Sequence, residues 1–191
     1  MTEGSHGQML EGRRVVLRAI GPEDYAFVYR LETSPELLVR WRFHGRTPSP
    51  EESTRSLFDG VLAQFLAVEK TSGKPIGFVN VHDPNLFNAT AHLAAIAMPD
   101  SRNAALMIDA CMPLVEYAFA LFPMRKLYAE VLDFNLVQFE SIVGKFFETE
   151  GCLVGDHYFN GQYWNKHILA ITREKWTIAR EKYMGFVGLK S

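Results

Sequence analysis

Residues 89–121 read ATAHLAAIAMPDSRNAALMIDACMPLVEYAFAL, and the fold turns on this stretch. The apolar run from Ala91 to Met98 predicts a strand. A polar turn follows, Pro99-Asp100-Ser101-Arg102-Asn103, and then a long apolar helix from about Ala104 to Leu121. A strand running into a helix start presents unpaired backbone N–H groups and the positive end of the helix dipole. Such a place suits phosphate or another anion, and Arg102 adds a positive charge beside it. The same pattern also describes an ordinary strand–helix connection with a surface arginine. Pro113 inside the helix predicts a kink or a local irregularity.

Upstream, Ala63 to Lys70 and Ile76 to His82 are two further strands around a Thr71-Ser72-Gly73-Lys74-Pro75 turn, with Asp83-Pro84-Asn85 ending the second. Before them, Arg14 to Ile20 fits a strand, and Gly21-Pro22-Glu23-Asp24 opens a helix that runs to about Leu31. A short helix is expected from Ser34-Pro35 through Leu38 and Trp41, and another from Glu51 to Val61. Downstream, Lys126 to Asp133 is a strand and Asn135 to Glu148 a helix. Leu153 to Phe159 and Tyr163 to Thr172 form a hairpin around Asn160-Gly161, with a last helix over Thr177 to Tyr183.

The 191 residues suit one domain, and 48% apolar with 22% charged residues is ordinary globular composition. A formal net charge of -2 without a basic run argues against a nucleic-acid partner. No apolar run reaches the roughly 20 residues of a membrane span, and the N-terminus lacks a signal-peptide core. Cys111 and Cys152 sit in apolar segments and read as buried free thiols of a reducing, cytoplasmic compartment. The scattered histidines lack ligand spacing, so no metal site is expected.

The element order β, α, α, (α), β, β, β, α, β, α, β, β resembles the GNAT N-acetyltransferase superfamily, in particular its RimJ/RimL-like branch. The phrases that carry the resemblance are GRRVVLRAIGPEDYAFVYRL from Gly12, Lys74-Pro75-Ile76-Gly77, Val115-Glu116-Tyr117-Ala118-Phe119 with Arg125-Lys126-Leu127, Asn135, and Asn160-Gly161-Gln162-Tyr163-Trp164-Asn165 with Glu174-Lys175-Trp176. The resemblance implies an α/β (mixed α+β) fold, a splayed mixed sheet of about seven strands flanked by helices. It implies a flexible leader over 1–11, one acyltransferase domain over 12–176 and a helical extension over 177–191. Acetyl-CoA, or another acyl-CoA, would lie between the strands Ala91–Met98 and Lys126–Asp133. Its arm would meet Ala97, Met98 and Asn135, and its pyrophosphate the loop Arg102, Asn103, Ala104, Ala105, Leu106 and Met107. Asn135 also suits a helix N-cap.

Four positions depart from the family's pattern. Ala105 and Met107 stand where the loop has glycine or another small residue, and Met107 either narrows the cleft or points into the core. Ile142 replaces the tyrosine that protonates the leaving thiolate, with Ser141 adjacent. His92 replaces a glutamate; with an unperturbed pKa of about 6.5 it suits a general base, and a partly buried structural histidine fits equally. The acceptor side would include Trp41, His44, His82, Tyr163 and Trp164. The activity implied is acyl transfer to a primary amine of a small molecule or protein N-terminus, by a monomer or homodimer. The alternatives are a non-catalytic binding or regulatory module on the same fold, and an enzyme that takes its acyl group from a carrier-protein thioester.

Overall fold

The computed structural model describes residues 10–38, 42–98 and 101–187, with side chains in those ranges except at 101–104, 182 and 184–187. Seven strands form one sheet in the order β1-β2-β3-β4-β5-β7-β6. β1 (Val15–Arg18), β2 (Val61–Glu69), β3 (Pro75–Asn85) and β4 (Thr90–Ala97) make an antiparallel meander. β5 (Lys126–Leu132) runs parallel to β4, and the β6 (Glu148–Phe159) and β7 (Gln162–Thr172) hairpin joins it antiparallel through β7. The helices are α1 (Tyr25–Glu32), α2 (Pro35–Leu38), α3 (Pro50–Ser56), α4 (Ser101–Leu121), α5 (Asp133–Leu136) and α6 (Arg173–Val187). Parallel neighbours need a crossover, and α4 supplies it between β4 and β5.

Side chains alternate between the two faces of the sheet. On one face Ala67, Val79, Val81, Ala91, Leu93, Leu127, Leu169 and Ile171 form the main core with Leu106, Ala110, Leu114 and Ala118 of α4. On the other face Leu66, Phe78 and Ile96 meet Val28 and Leu31 of α1 and Leu57 after α3. Farther along that face the registers place Gln64, Asn80 and Ala94 in one row and His82, His92 and Tyr128 in the next. The sheet is thus greasy on one side and carries a polar stripe on the other. Gly77 permits the close β3–β4 approach, because a Cβ there would collide with the Ile96 carbonyl oxygen.

Several elements differ from expectation for local reasons. α3 stops at Ser56, its start fixed by Ser49 accepting from the Glu52 N–H at 3.1 Å, and Gly60 at φ 66° turns the chain into β2. β3 continues through Asn85, with a bulge after His82 where Asp83 takes φ 47°. The long helix expected over 135–148 is confined to α5 and a 3₁₀ turn, Val137–Phe139. Its β-branched and aromatic residues are weak helix formers, and Gly144 sits at φ 81°. α5 opens at Asp133 with Leu132 at its N-cap, so Asn135 is inside it and not its cap. α4 stays helical through the buried Pro113 without a break. Asn160 and Gly161, at φ 51° and 81°, make the expected tight turn between β6 and β7. Cys152 is exposed, contrary to the buried thiol expected, because it lies on the edge strand β6. Cys111 lies against the core, where burial pushes its thiol up to about 12.

α6 starts at Arg173 and is built into the main core through Trp176 and Tyr183. The Arg173 guanidinium donates to the carbonyls of Phe119, Phe122 and Met124 at 2.6, 2.7 and 2.8 Å, closing the C-terminal end of α4. Trp176 Nε1 donates to Glu116 Oε2 at 2.7 Å, and Arg180 pairs with the other oxygen at 2.8 Å. The buried Glu116 is thereby satisfied from both sides. Trp176→Ala removes a fully buried side chain and one donor, and should lower the unfolding free energy in urea by about 3–5 kcal/mol.

Candidate active site

The β4–β5 ladder pairs Thr90 with Lys126, Ala91 with Leu127, His92 with Tyr128 and Leu93 with Ala129, and ends there. β4 continues to Ala97 against β3, and β5 continues to Leu132 against β7. Two bare strand edges therefore face each other across a V that opens beyond Leu93 and Ala129. Met98 N–H donates to the Ile76 carbonyl at 3.3 Å, which makes 98 and 76 a hydrogen-bonded antiparallel pair. By alternation, the N–H and C=O groups of Ala97 and Ala95 point away from β3, into the V. A backbone donor for the cleft is therefore Ala97 or Ala95, not Met98, whose N–H is already engaged. An extended amide-bearing chain can pair with these edge groups by strand addition.

His92 stands on the polar face, one residue before the V opens. Its ring lies 5.6 Å from the His82 ring on one side and 5.6 Å from Tyr128 on the other. Its Nδ1 is 3.8 Å from Glu130 Oε1. Glu130 Oε2 is 3.1 Å from Lys166 Nζ, which also contacts Asp156 Oδ2 at 2.7 Å. His82 Nδ1 is 3.0 Å from Asp83 Oδ2. Burial lowers the His92 pKa below its ordinary 6.5, the charges of His82 and Lys166 add to that, and Glu130 and Asp83 oppose it. The polar face thus sets an imidazole with a lowered pKa one residue before the V, and the β4 edge farther along supplies two backbone donors.

The expected site residues divide into those brought together and those held apart. His82 and His92 meet across the β3–β4 pair, and Ala97 lines the V. Met107 is buried in the main core and does not narrow the cleft, and Leu106 is buried with it, while Ala105 is exposed. Helix spacing with Ala110 and Leu114 explains this, since all three lie on the stripe facing the sheet. Pro99, Asp100 and Trp41 lie outside the described residues, as do the side chains of Arg102, Asn103 and Ala104. Ser141 is on an exposed turn, with Ile142 beneath it in the core. Asn135 is half-buried in α5.

On the acceptor side, His44 is exposed with its ring 6.4 Å from that of His157. Tyr163 packs on Tyr158 at the hairpin tip, and Trp164 meets Phe134 edge-on at 4.9 Å and donates to the Phe159 carbonyl at 3.0 Å. Those three form a second group around β6 and β7. Tyr128, Glu130, Lys166 and Asp156 were not anticipated. The alternation Lys126, Tyr128, Glu130 against Leu127, Ala129, Val131 marks a polar strand face, but the sequence does not show that His92 is its neighbour. Among the described residues no group of three or more His, Cys, Asp or Glu is placed to hold a metal ion. No helix among them is long and apolar enough to cross a membrane.

Residues 14–139 match the family described as acetyltransferase (GNAT) domain. The chain is 21% identical over 166 residues to a spermidine N(1)-acetyltransferase of Vibrio cholerae, covering 85% of this chain and 95% of that one. Its fold superposes with a TM-score of 0.70 on the Vibrio cholerae spermidine N-acetyltransferase solved with CoA and spermine, at 20% identity, covering 86% of this chain and 98% of the other. A spermidine/spermine N-acetyltransferase of the same organism, solved with manganese ions, gives a TM-score of 0.68 at 21% identity over 86% of this chain and 96% of that one. At these identities the structural likeness concerns the fold.

In histidine NMR titration, His92 should protonate with a midpoint below 6.5 and be neutral at pH 7.

Proposed function

Because the chain belongs to the acetyltransferase (GNAT) domain family, we propose that it transfers an acetyl group from acetyl-CoA to a primary amine of a small molecule, with His92 as general base. The observation that carries this reading is the V beyond Leu93 and Ala129, with the Ala95 and Ala97 N–H groups facing it and a neutral imidazole at its apex. His92 takes a proton from the acceptor ammonium or amine, directly or through water. The amine nitrogen bonds to the thioester carbonyl carbon while a strand N–H, Ala97 or Ala95, steadies the negative charge on oxygen. The carbon–sulfur bond then breaks, and the thiolate takes a proton from water or from Ser141. The pyrophosphate would lie against the start of α4, with Arg102, Asn103, Ala104 and Ala105 around it. Asn135 would meet the CoA arm. Met107, buried in the core, does not stand in its way.

The carboxylates of Asp83 and Glu130 beside the two histidines suit a cationic amine. Together with the spermidine-acetylating relatives, they make polyamines the first acceptors to try. The family resemblance brings His44, Tyr163, Trp164 and Trp41 in as outer acceptor contacts, and supports a RimJ/RimL-like placement, a single domain and a homodimer. The free thiols Cys111 and Cys152 fit a cytoplasmic setting.

Acetyl-CoA should raise the melting temperature, and turnover should appear with spermidine or another primary amine. His92→Ala should lower kcat/KM about 10²–10⁴-fold while acetyl-CoA binding persists. No shift with any acyl-CoA removes the proposal; unchanged turnover in His92→Ala removes the base assignment.

A further inference from the structure

We propose that Glu130 is a positioning residue that selects the His92 tautomer with its proton on Nδ1, leaving Nε2 as the base. This rests on the reading of His92 as the catalytic base. The sheet sets Glu130 on the same face as His92. Glu130 is two residues beyond Tyr128 on β5, so it shares the face on which Tyr128 stands opposite His92. Its two oxygens serve different partners. Oε2 lies 3.1 Å from Lys166 Nζ, and Oε1 is turned to His92 Nδ1 at 3.8 Å. Lys166 is fixed in turn by Asp156 at 2.7 Å. Four strands, β4, β5, β7 and β6, thus contribute one residue each to a chain of alternating charge that ends on the imidazole.

A carboxylate oxygen in front of a ring nitrogen repels a lone pair and attracts an N–H. Glu130 therefore favours the proton on Nδ1, and the lone pair goes to Nε2, away from the carboxylate. At 3.8 Å the contact is longer than a direct hydrogen bond. The coupling in this state is by charge, and catalytic contacts of this kind tighten when substrate binds. The other groups facing His92 among the described residues do not select a tautomer in this way. His82 and Tyr128 present rings at 5.6 Å. Asp83 is engaged by His82 Nδ1 at 3.0 Å, and Lys166 reaches the imidazole through Glu130. The side chain of Glu130 is 42% exposed, so its loss costs the core little. That separates a positioning role from a structural one.

The test is ¹⁵N NMR of histidine-labelled full-length protein together with pH–rate profiles, in wild type, Glu130→Gln and Glu130→Asp. In wild type, neutral His92 should carry its proton on Nδ1. In Glu130→Gln the population should move toward the Nε2–H form and the titration midpoint should fall, because the charge that favours protonation is gone. kcat should drop roughly 10-fold or more with KM for acetyl-CoA unchanged, and the acid limb should move to lower pH. A plateau that falls while His92 becomes more fully neutral is the mark of a misplaced proton, not of a misfolded site. Glu130→Asp should retain part of the wild-type tautomer and rate. The proposal is overturned if wild-type His92 is the Nε2–H tautomer, or if Glu130→Gln leaves tautomer and midpoint unmoved. If both move but the rates do not follow, and His92→Ala keeps its turnover, tautomer selection stands and the base assignment falls.

Discussion

Four residue pairs, from Thr90–Lys126 to Leu93–Ala129, hold β4 to β5, and the parallel ladder stops there. The constraint is geometric. β4 stays with β3 to Ala97 and β5 stays with β7 to Leu132, so each strand follows a different neighbour as the sheet twists. Backbone donors and acceptors are left facing one another across a gap. Those groups are free to pair with an extended chain laid between the strands. The groove and its hydrogen-bonding edge are therefore products of the sheet itself, with α4 supplying the crossover that makes the two strands parallel.

The chemistry at the apex follows from which residues share a face. His82, His92 and Tyr128 line up across three strands because antiparallel and parallel registers bring them opposite one another. Two imidazoles each meet a carboxylate, Asp83 and Glu130, and the second carboxylate is tied down by Lys166. Burial keeps His92 neutral in the range where a base is useful, while Glu130 limits how far that effect goes. The closing helix α6 stands behind the opposite face, where Arg173, Trp176 and Arg180 satisfy the end of α4 and the buried Glu116. That arrangement holds α4 against the sheet.

Patterns that depend on neighbours in the chain were legible from the sequence. Asn160-Gly161 forced the β6–β7 turn through two positive φ angles, and the apolar run of 91–98 followed by 104–121 marked the strand and helix at the centre. The spacing of Met107, Ala110 and Leu114 carried the information that Met107 faces the core. Competing local preferences were harder to read. The segment after Asn135 has helical spacing, yet its β-branched and aromatic residues and Gly144 leave only a short helix. Long-range register was not legible at all. Tyr128 and Glu130 announce a polar strand face, but their meeting with His92 and Lys166 depends on how a crossover of more than twenty residues sets β5 beside β4.

Amide hydrogen exchange, resolved residue by residue, tests the central role of the open β4 edge. Ala94 and Ile96 N–H groups are turned toward β3, while those of Ala95 and Ala97 face the V. Acetyl-CoA should slow exchange at Ala95 and Ala97 markedly while leaving Ala94 and Ile96 little changed. Protection by acetyl-CoA elsewhere in the chain, with Ala95 and Ala97 exchanging as before, would contradict it.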